Sequence, residues 1–176
     1  MQCPAGKSGT SGFSLIELMM ASTVLVVGLL GGIGVICVAT ANNGRSRLNT
    51  TAATLAESIL ERITAMPVNT TTTMTDCKGN TFTLNTAVGG SPLVNSGAFG
   101  GVQADFSQPP VPGYQMQYLV CTSSQGLPYD VRWTIDPGPT PSTQLITVSA
   151  KALPGTSTPV AVFAKPVTLR TLRGSF

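Results

Sequence analysis

The stretch GFSLIELMMASTVLVVGLLGGIGVICVATA (Gly12–Ala41) is long and apolar enough to cross a membrane, yet it carries one acid, Glu17, just inside its start. From Leu18 to Ala41 no further charge occurs. As a helix rising about 1.5 Å per residue, this run spans a hydrocarbon core of about 30 Å. A carboxylate at mid-bilayer costs about 2.5–3.5 kcal/mol on insertion scales and less at the edge, so Glu17 calls for something that compensates it.

On the N-terminal side stands MQCPAGKSGTSG (Met1–Gly12), short and polar, with Lys7 and no acid. Three readings of the apolar run compete. A secretory signal cut after Ala39-Thr40-Ala41 fits the small-x-small pattern, but its apolar region should be only about 7–15 residues long. A plain single-pass anchor leaves Glu17 unexplained, unless the carboxylate reaches the headgroups. The third reading depends on the residues around Gly12 and is taken up below. Within the run, Gly28, Gly31, Gly32 and Gly34 are poor helix formers, and Gly28 with Gly32 makes a GxxxG that permits close helix approach. Arg45 and Arg47 follow the run, while only Lys7 and the amino terminus precede it. That local count does not favour a cytoplasmic N-terminus.

On the C-terminal side the helical period continues. Leu48, Ala52, Leu55, Ile59, Ile63 and Met66 recur at spacings of four and three, widened by Ala56 and Leu60. Glu57, Ser58, Glu61 and Arg62 flank the stripe and are assigned to a solvated face. Pro67 disfavours helix at Met66 and ends the run. One helix from about Ser14 to Ala65 would be about 80 Å long.

After Pro67, VNTTTTMTDC reads as an extended loop and Asn80–Thr86 as a strand. Ala87–Gly113 is dense in Gly and Pro and reads as mainly irregular, either an interaction surface or an excursion from the domain. Period-two alternation then marks three strands, carried by Tyr114, Met116, Tyr118 and Val120, by Tyr129, Val131, Trp133 and Ile135, and by Ile146, Val148 and Ala150. Asp136–Ser142 is the turn between the last two. Val160–Leu172 reads as a final strand, broken or at an edge because of Pro166. The expected fold class is α+β: a long N-terminal helix packed on a C-terminal antiparallel sheet in two layers, with one apolar face.

Charged residues are 10% of the 176, well below the roughly 25% of an ordinary soluble domain, and net charge is +3. With no histidine, the common His-based metal sites and nucleophile–base pairs are excluded. No phosphate-loop, nucleophile-elbow or C-x-x-C pattern occurs, so no catalytic residue, cofactor or metal is expected. Lys165, Arg170 and Arg173, with Phe163, form a basic stretch that reads as a solvated edge rather than a nucleic-acid contact. Of four cysteines, Cys3 lies in the polar tail and Cys37 in the apolar run. Cys77 and Cys121 form one disulfide if that part is exported, and otherwise remain two thiols.

SGFSLIELMMA (Ser11–Ala21) resembles the class III signal of type IV pilins and type II secretion pseudopilins. The resemblance implies a cut between Gly12 and Phe13 by a prepilin peptidase, which also N-methylates Phe13, with Lys7 as the basic leader residue. It implies that Glu17, five residues into the mature chain, serves assembly. The physical rationale follows from the cut, which turns the neutral Phe13 amide into an ammonium one helical turn from Glu17. A carboxylate in low dielectric needs a cation, and in a staggered filament that cation belongs to a neighbouring subunit. GLLG (Gly28–Gly31), followed by Ala52, Leu55, Ala56, Leu60, Glu61, Arg62, Ala65 and Pro67, is similar to PilV-type minor pilins, also called type IV pilus modification proteins. Met66 stands where that family often has asparagine.

The division implied is a leader at 1–12, an assembly helix at 13–41, an amphipathic continuation at 42–66 and a pilin-like head at 67–176. The implied partners are the prepilin peptidase/methyltransferase, other pilins or pseudopilins, an inner-membrane assembly platform and the lipid bilayer, with nucleic acid not expected. The implied location is the bacterial inner membrane, single-pass with a periplasmic C-terminal domain, and then a pilus fibre or the cell surface. A secretion pseudopilin and a membrane-tethered periplasmic binding domain or enzyme remain the rivals.

Overall fold

The computed structural model describes residues 12, 14–96, 101–122, 125–153 and 165–174. The chain separates into two compact units, Met1–Asn42 and Asn43–Phe176. Helix α1 runs without interruption over Leu15–Ala65. It ends where Pro67 removes a donor, with the Met66 N–H donating to the Ile63 carbonyl at 3.4 Å. No proline occurs inside it, and its glycines do not break it.

In the second unit, the stripe read from the sequence is the buried face of α1. Ala52, Leu55, Ala56, Ile59 and Ile63 are buried, while Glu57, Glu61 and Arg62 are exposed. The stripe packs on an antiparallel sheet. The strands of the unit are β1 (Thr71–Thr75), β2 (Thr81–Asn85), β3 (Gly89–Gly90), β4 (Leu93–Ser96), β5 (Gly101–Ala104), β6 (Gln115–Thr122), β7 (Gln125–Pro137), β8 (Thr143–Ala152) and β9 (Val167–Gly174). β7 lies at the centre of the main sheet. β8 and then β9 extend it on one side, while β6 and the short β3 pair with successive parts of its other edge. The register sets Tyr118 against Tyr129, Trp133 against Val148 and Ile146 against Thr171.

The alternating residues of β7 and β8 point at the helix as expected. Tyr129, Val131, Trp133, Ile135, Ile146, Val148 and Ala150 have no exposed surface, and they form one cluster with Met116 and the helix stripe. Each such aliphatic side chain contributes about 1.5–3 kcal/mol on burial. The architecture is therefore α+β, a long N-terminal helix packed on antiparallel sheet.

Two expectations change, and two hold with added detail. The threonine run is a strand and not a loop: β1 pairs with β2 from Thr71–Asn85 to Thr75–Thr81. β-branched threonines suit an extended backbone better than a helix, and Met74 with Phe82 gives the pair a partly buried side. Ala87–Gly113 lies mostly outside strands among its described residues, as expected, but it also supplies β3, β4 and β5, the last two as a hairpin. The sheet is not covered on one face alone. Thr134, Thr147 and Ser149 on the polar face are buried too, because the Ala104 N–H donates to the Ser149 hydroxyl and the Thr134 hydroxyl donates to the Ser91 carbonyl. A third, polar-contact layer thus lies opposite the helix. Finally, β9 lies at the sheet edge as expected: it begins at Val167, directly after Pro166, and pairs only with β8. The expected strand residues before Lys165 lie outside the described residues.

Gly90 shows why the short strand β3, packed against β7, needs glycine. Its φ is +139°, and a Cβ there would lie 2.5 Å from both the Thr134 Cα and the Trp133 carbonyl oxygen.

Candidate functional site

In the first unit, Gly12 is exposed and nothing lies within 4 Å of where its Cβ would be. Phe13, Lys7 and the rest of the expected leader lie outside the described residues. The Ser14 carbonyl accepts from the N–H groups of Glu17 at 3.0 Å and Leu18 at 3.2 Å, and so opens the helix. Glu17 is exposed in the first turn. There the unpaired N–H groups make the positive end of the helix dipole, which favours a carboxylate by about 0.3–1 kcal/mol. Ser14 and Glu17 also have the Ser-x-x-Glu spacing of a capping box, a signal present in the sequence and not used above.

From Leu15 to Val38 every large apolar side chain is more than half exposed, the least being Val26 at 54%. The polar groups of the run are turned inward on the helix itself. The hydroxyls of Ser22, Thr23 and Thr40 donate to the carbonyls of Met19, Met20 and Ile36 at 2.8–2.9 Å. A helix apolar on all sides, with its hydroxyls already satisfied, suits an environment without water. Among the described residues it is the helix long and apolar enough to cross a membrane.

In the second unit, Cys77 and Cys121 are joined, with their Cα atoms 6.0 Å apart across 44 residues of sequence. The bridge ties the turn after β1 to the end of β6. Loop-closure entropy assigns it about 4 kcal/mol. The Cys77→Ser/Cys121→Ser chain is expected to lose about 3–4 kcal/mol of head stability, read as a lowered urea midpoint with an unchanged transition of the membrane-extracted helix. Cys37 is a free, exposed thiol in the apolar run.

Beside the bridge, burial opposes the ionisation of Asp76. Hydrogen bonds from the Asn80 amide and from the backbone N–H groups of Asn80 and Lys78 outweigh it and hold the carboxyl below its ordinary 3.8. A pKa depressed in the folded state means that the unfolded chain binds more protons near pH 4. Its contribution is therefore complete above that pH and is lost as pH falls through the folded value. The urea midpoint of wild type should fall from pH 5 to pH 3 more steeply than that of Asp76→Asn; parallel curves would refute this.

The basic stretch near Arg173 is not simply a solvated edge. Lys165 and Arg170 are exposed, but Arg173 is buried. Its guanidinium donates to the carbonyls of Ile63 at 2.6 Å and Met66 at 3.1 Å, and to the Gln144 side-chain oxygen. It thus adds a second donor to the Ile63 carbonyl, which already accepts from the Met66 N–H, and supplies one to the Met66 carbonyl just past the end of α1. Phe163 lies outside the described residues. A second buried arginine, Arg132, pairs with Asp130 at 2.9 Å and donates to the carbonyls of Asp105 and Gln108, fastening the third layer to β7. Sequence reasoning placed Arg173 on a solvated basic edge, and no local signal contradicts that.

Among the described residues no group of three or more His, Cys, Asp or Glu is arranged to hold a metal. No family model, curated protein or solved structure matches the chain.

Proposed function

We propose that the chain is a prepilin-like minor subunit of a type IV pilus. It is inserted in the bacterial inner membrane with its head in the periplasm, cut between Gly12 and Phe13, methylated at Phe13, and packed through its N-terminal helix among other pilins to initiate or modulate the fibre. The observation that carries this function is the first turn of α1. A lone carboxylate, Glu17, stands at the head of a helix whose apolar side chains are exposed on every side, directly after the Gly12-Phe13 junction. Such a helix needs both a lipid phase and, for its acid, a cation, and assembly supplies the cation from the next subunit's new amino terminus. The helix continues into a disulfide-tied head, which suits an exported domain.

The test is N-terminal mass analysis of the protein extracted from membranes. The expected first residue is N-methylated Phe13. A mature chain beginning elsewhere, or after Ala41, overturns the assignment.

A further inference from the structure

On the face of α1 turned away from the sheet, Arg47, Thr50, Thr54, Glu57 and Glu61 follow one another at spacings of three and four, and so stand in one row. All five are exposed. They lie in the second unit, on the side of the helix opposite its buried stripe. The row is charged at its ends and small in its middle. Among the described residues Arg47, Glu57 and Glu61 make no ion pair. Glu57 and Glu61 stand four apart, a spacing at which like charges repel, and Arg62 on the flank of the row does not pair with either. Thr50 and Thr54 donate their hydroxyls to the carbonyls of Ser46 and Thr51 at 2.9 and 3.0 Å, and so need no partner of their own. Such short side chains let the axis of another helix approach to about 8 Å.

We propose that this row is the contact for a second copy of the chain, parallel to the first and displaced along the helix by about 15–21 Å. Charge complementarity selects both the occupant and the displacement. Arg47 stands ten residues before Glu57 and fourteen before Glu61, so a copy moved by that length sets its Arg47 between the two acids. Two copies in register would instead set Arg47 against Arg47 and each acid against its like. The parallel direction rests on the proposed function, in which chains are anchored in one membrane through the same N-terminal segment. An exposed ion pair adds little affinity, and its use here is to fix register, while the small middle of the row permits the close approach. The contact is heterologous: each copy offers its acids to one neighbour and its arginine to another, so the arrangement propagates instead of closing.

The experiment uses the full-length chain with Cys37→Ser, expressed in the same cells in two differently tagged forms. One form carries Asn43→Cys and the other Thr54→Cys, two exposed positions of the row eleven residues apart. Membranes are oxidised with copper phenanthroline, and disulfide-linked dimers are sorted by tag. The displaced contact predicts the mixed dimer as the main product, whereas copies in register give the two homodimers. Arg47→Glu in the Asn43→Cys form should cut the mixed dimer about fivefold, the upper range for an exposed ion pair. Glu57→Arg with Glu61→Arg in the Thr54→Cys form should then restore it, which a variant that merely misfolds would not allow. Homodimers as the main product, a mixed dimer indifferent to Arg47→Glu, or failure of the reversed charges to restore it overturns the contact. N-terminal mass analysis of the same membranes separates the two levels. A mixed dimer absent from chains that begin at Phe13 sinks the contact alone, and a mixed dimer in chains that begin elsewhere sinks the pilus subunit and keeps the contact.

Discussion

Glu17→Gln is expected to enter membranes as wild type does and to reach the fibre at less than a tenth of the wild-type amount. Insertion is spared because the substitution removes a charge whose transfer into lipid is unfavourable. The helix start is spared as well, since glutamine serves at the third position of a capping box and the lost dipole term is only about 0.3–1 kcal/mol. What remains, under the proposed function, is the pairing with the neighbouring subunit's ammonium. Deleting one member of a buried pair costs about 3–5 kcal/mol, enough for more than a hundredfold loss. The substitution thus separates two roles that the first turn permits for Glu17. If the carboxylate only caps α1, the Gln form assembles normally. Immunoblots of sheared fibres against membranes give the ratio, and fibre content equal to wild type refutes the assembly role.

The second large effect belongs to the head. Trp133→Ala should lower its stability by about 3–5 kcal/mol, a substantial part of the 5–15 kcal/mol typical of a domain. Trp133 is wholly buried at the middle of β7, with its ring 6.3 Å from that of Tyr114. Its indole N–H donates to the Asn85 carbonyl at 3.0 Å, so truncation empties a large volume and also orphans an acceptor. Trp133→Phe keeps most of the volume and should cost about 1–2 kcal/mol. Because the chain has one tryptophan, the unfolding signal has to be circular dichroism. A melting temperature for the alanine form within a degree or two of wild type would contradict this account of the core.

How much of this was legible beforehand depends on whether burial leaves a period. The stripe from Leu48 to Ile63 recurs every three or four residues, and the runs Tyr129–Ile135 and Ile146–Ala150 alternate. Helix, central strands and their common face could therefore be read directly. β1 escaped because its inward residues include Thr72, which leaves no apolar alternation. The third layer escaped for a stronger reason. It is held by polar contacts such as Ala104 to Ser149 and Arg132 to Asp105, and a buried polar residue looks the same in sequence as a solvated one. Of the candidate site residues, Glu17 stands out because charge is so rare in that region, whereas Gly12 and Phe13 were marked only by the resemblance. The pairing of Cys77 with Cys121 required only two cysteines in the strand-rich part.

The seal that Arg173 places on the end of α1 joins residues 110 positions apart. During synthesis the ribosome delivers the helix long before the strand that closes it. Until β9 arrives, the Met66 carbonyl awaits the Arg173 donor and the β8 edge stands open. Maturation of the head is thereby timed to late elongation, when its last strand is made.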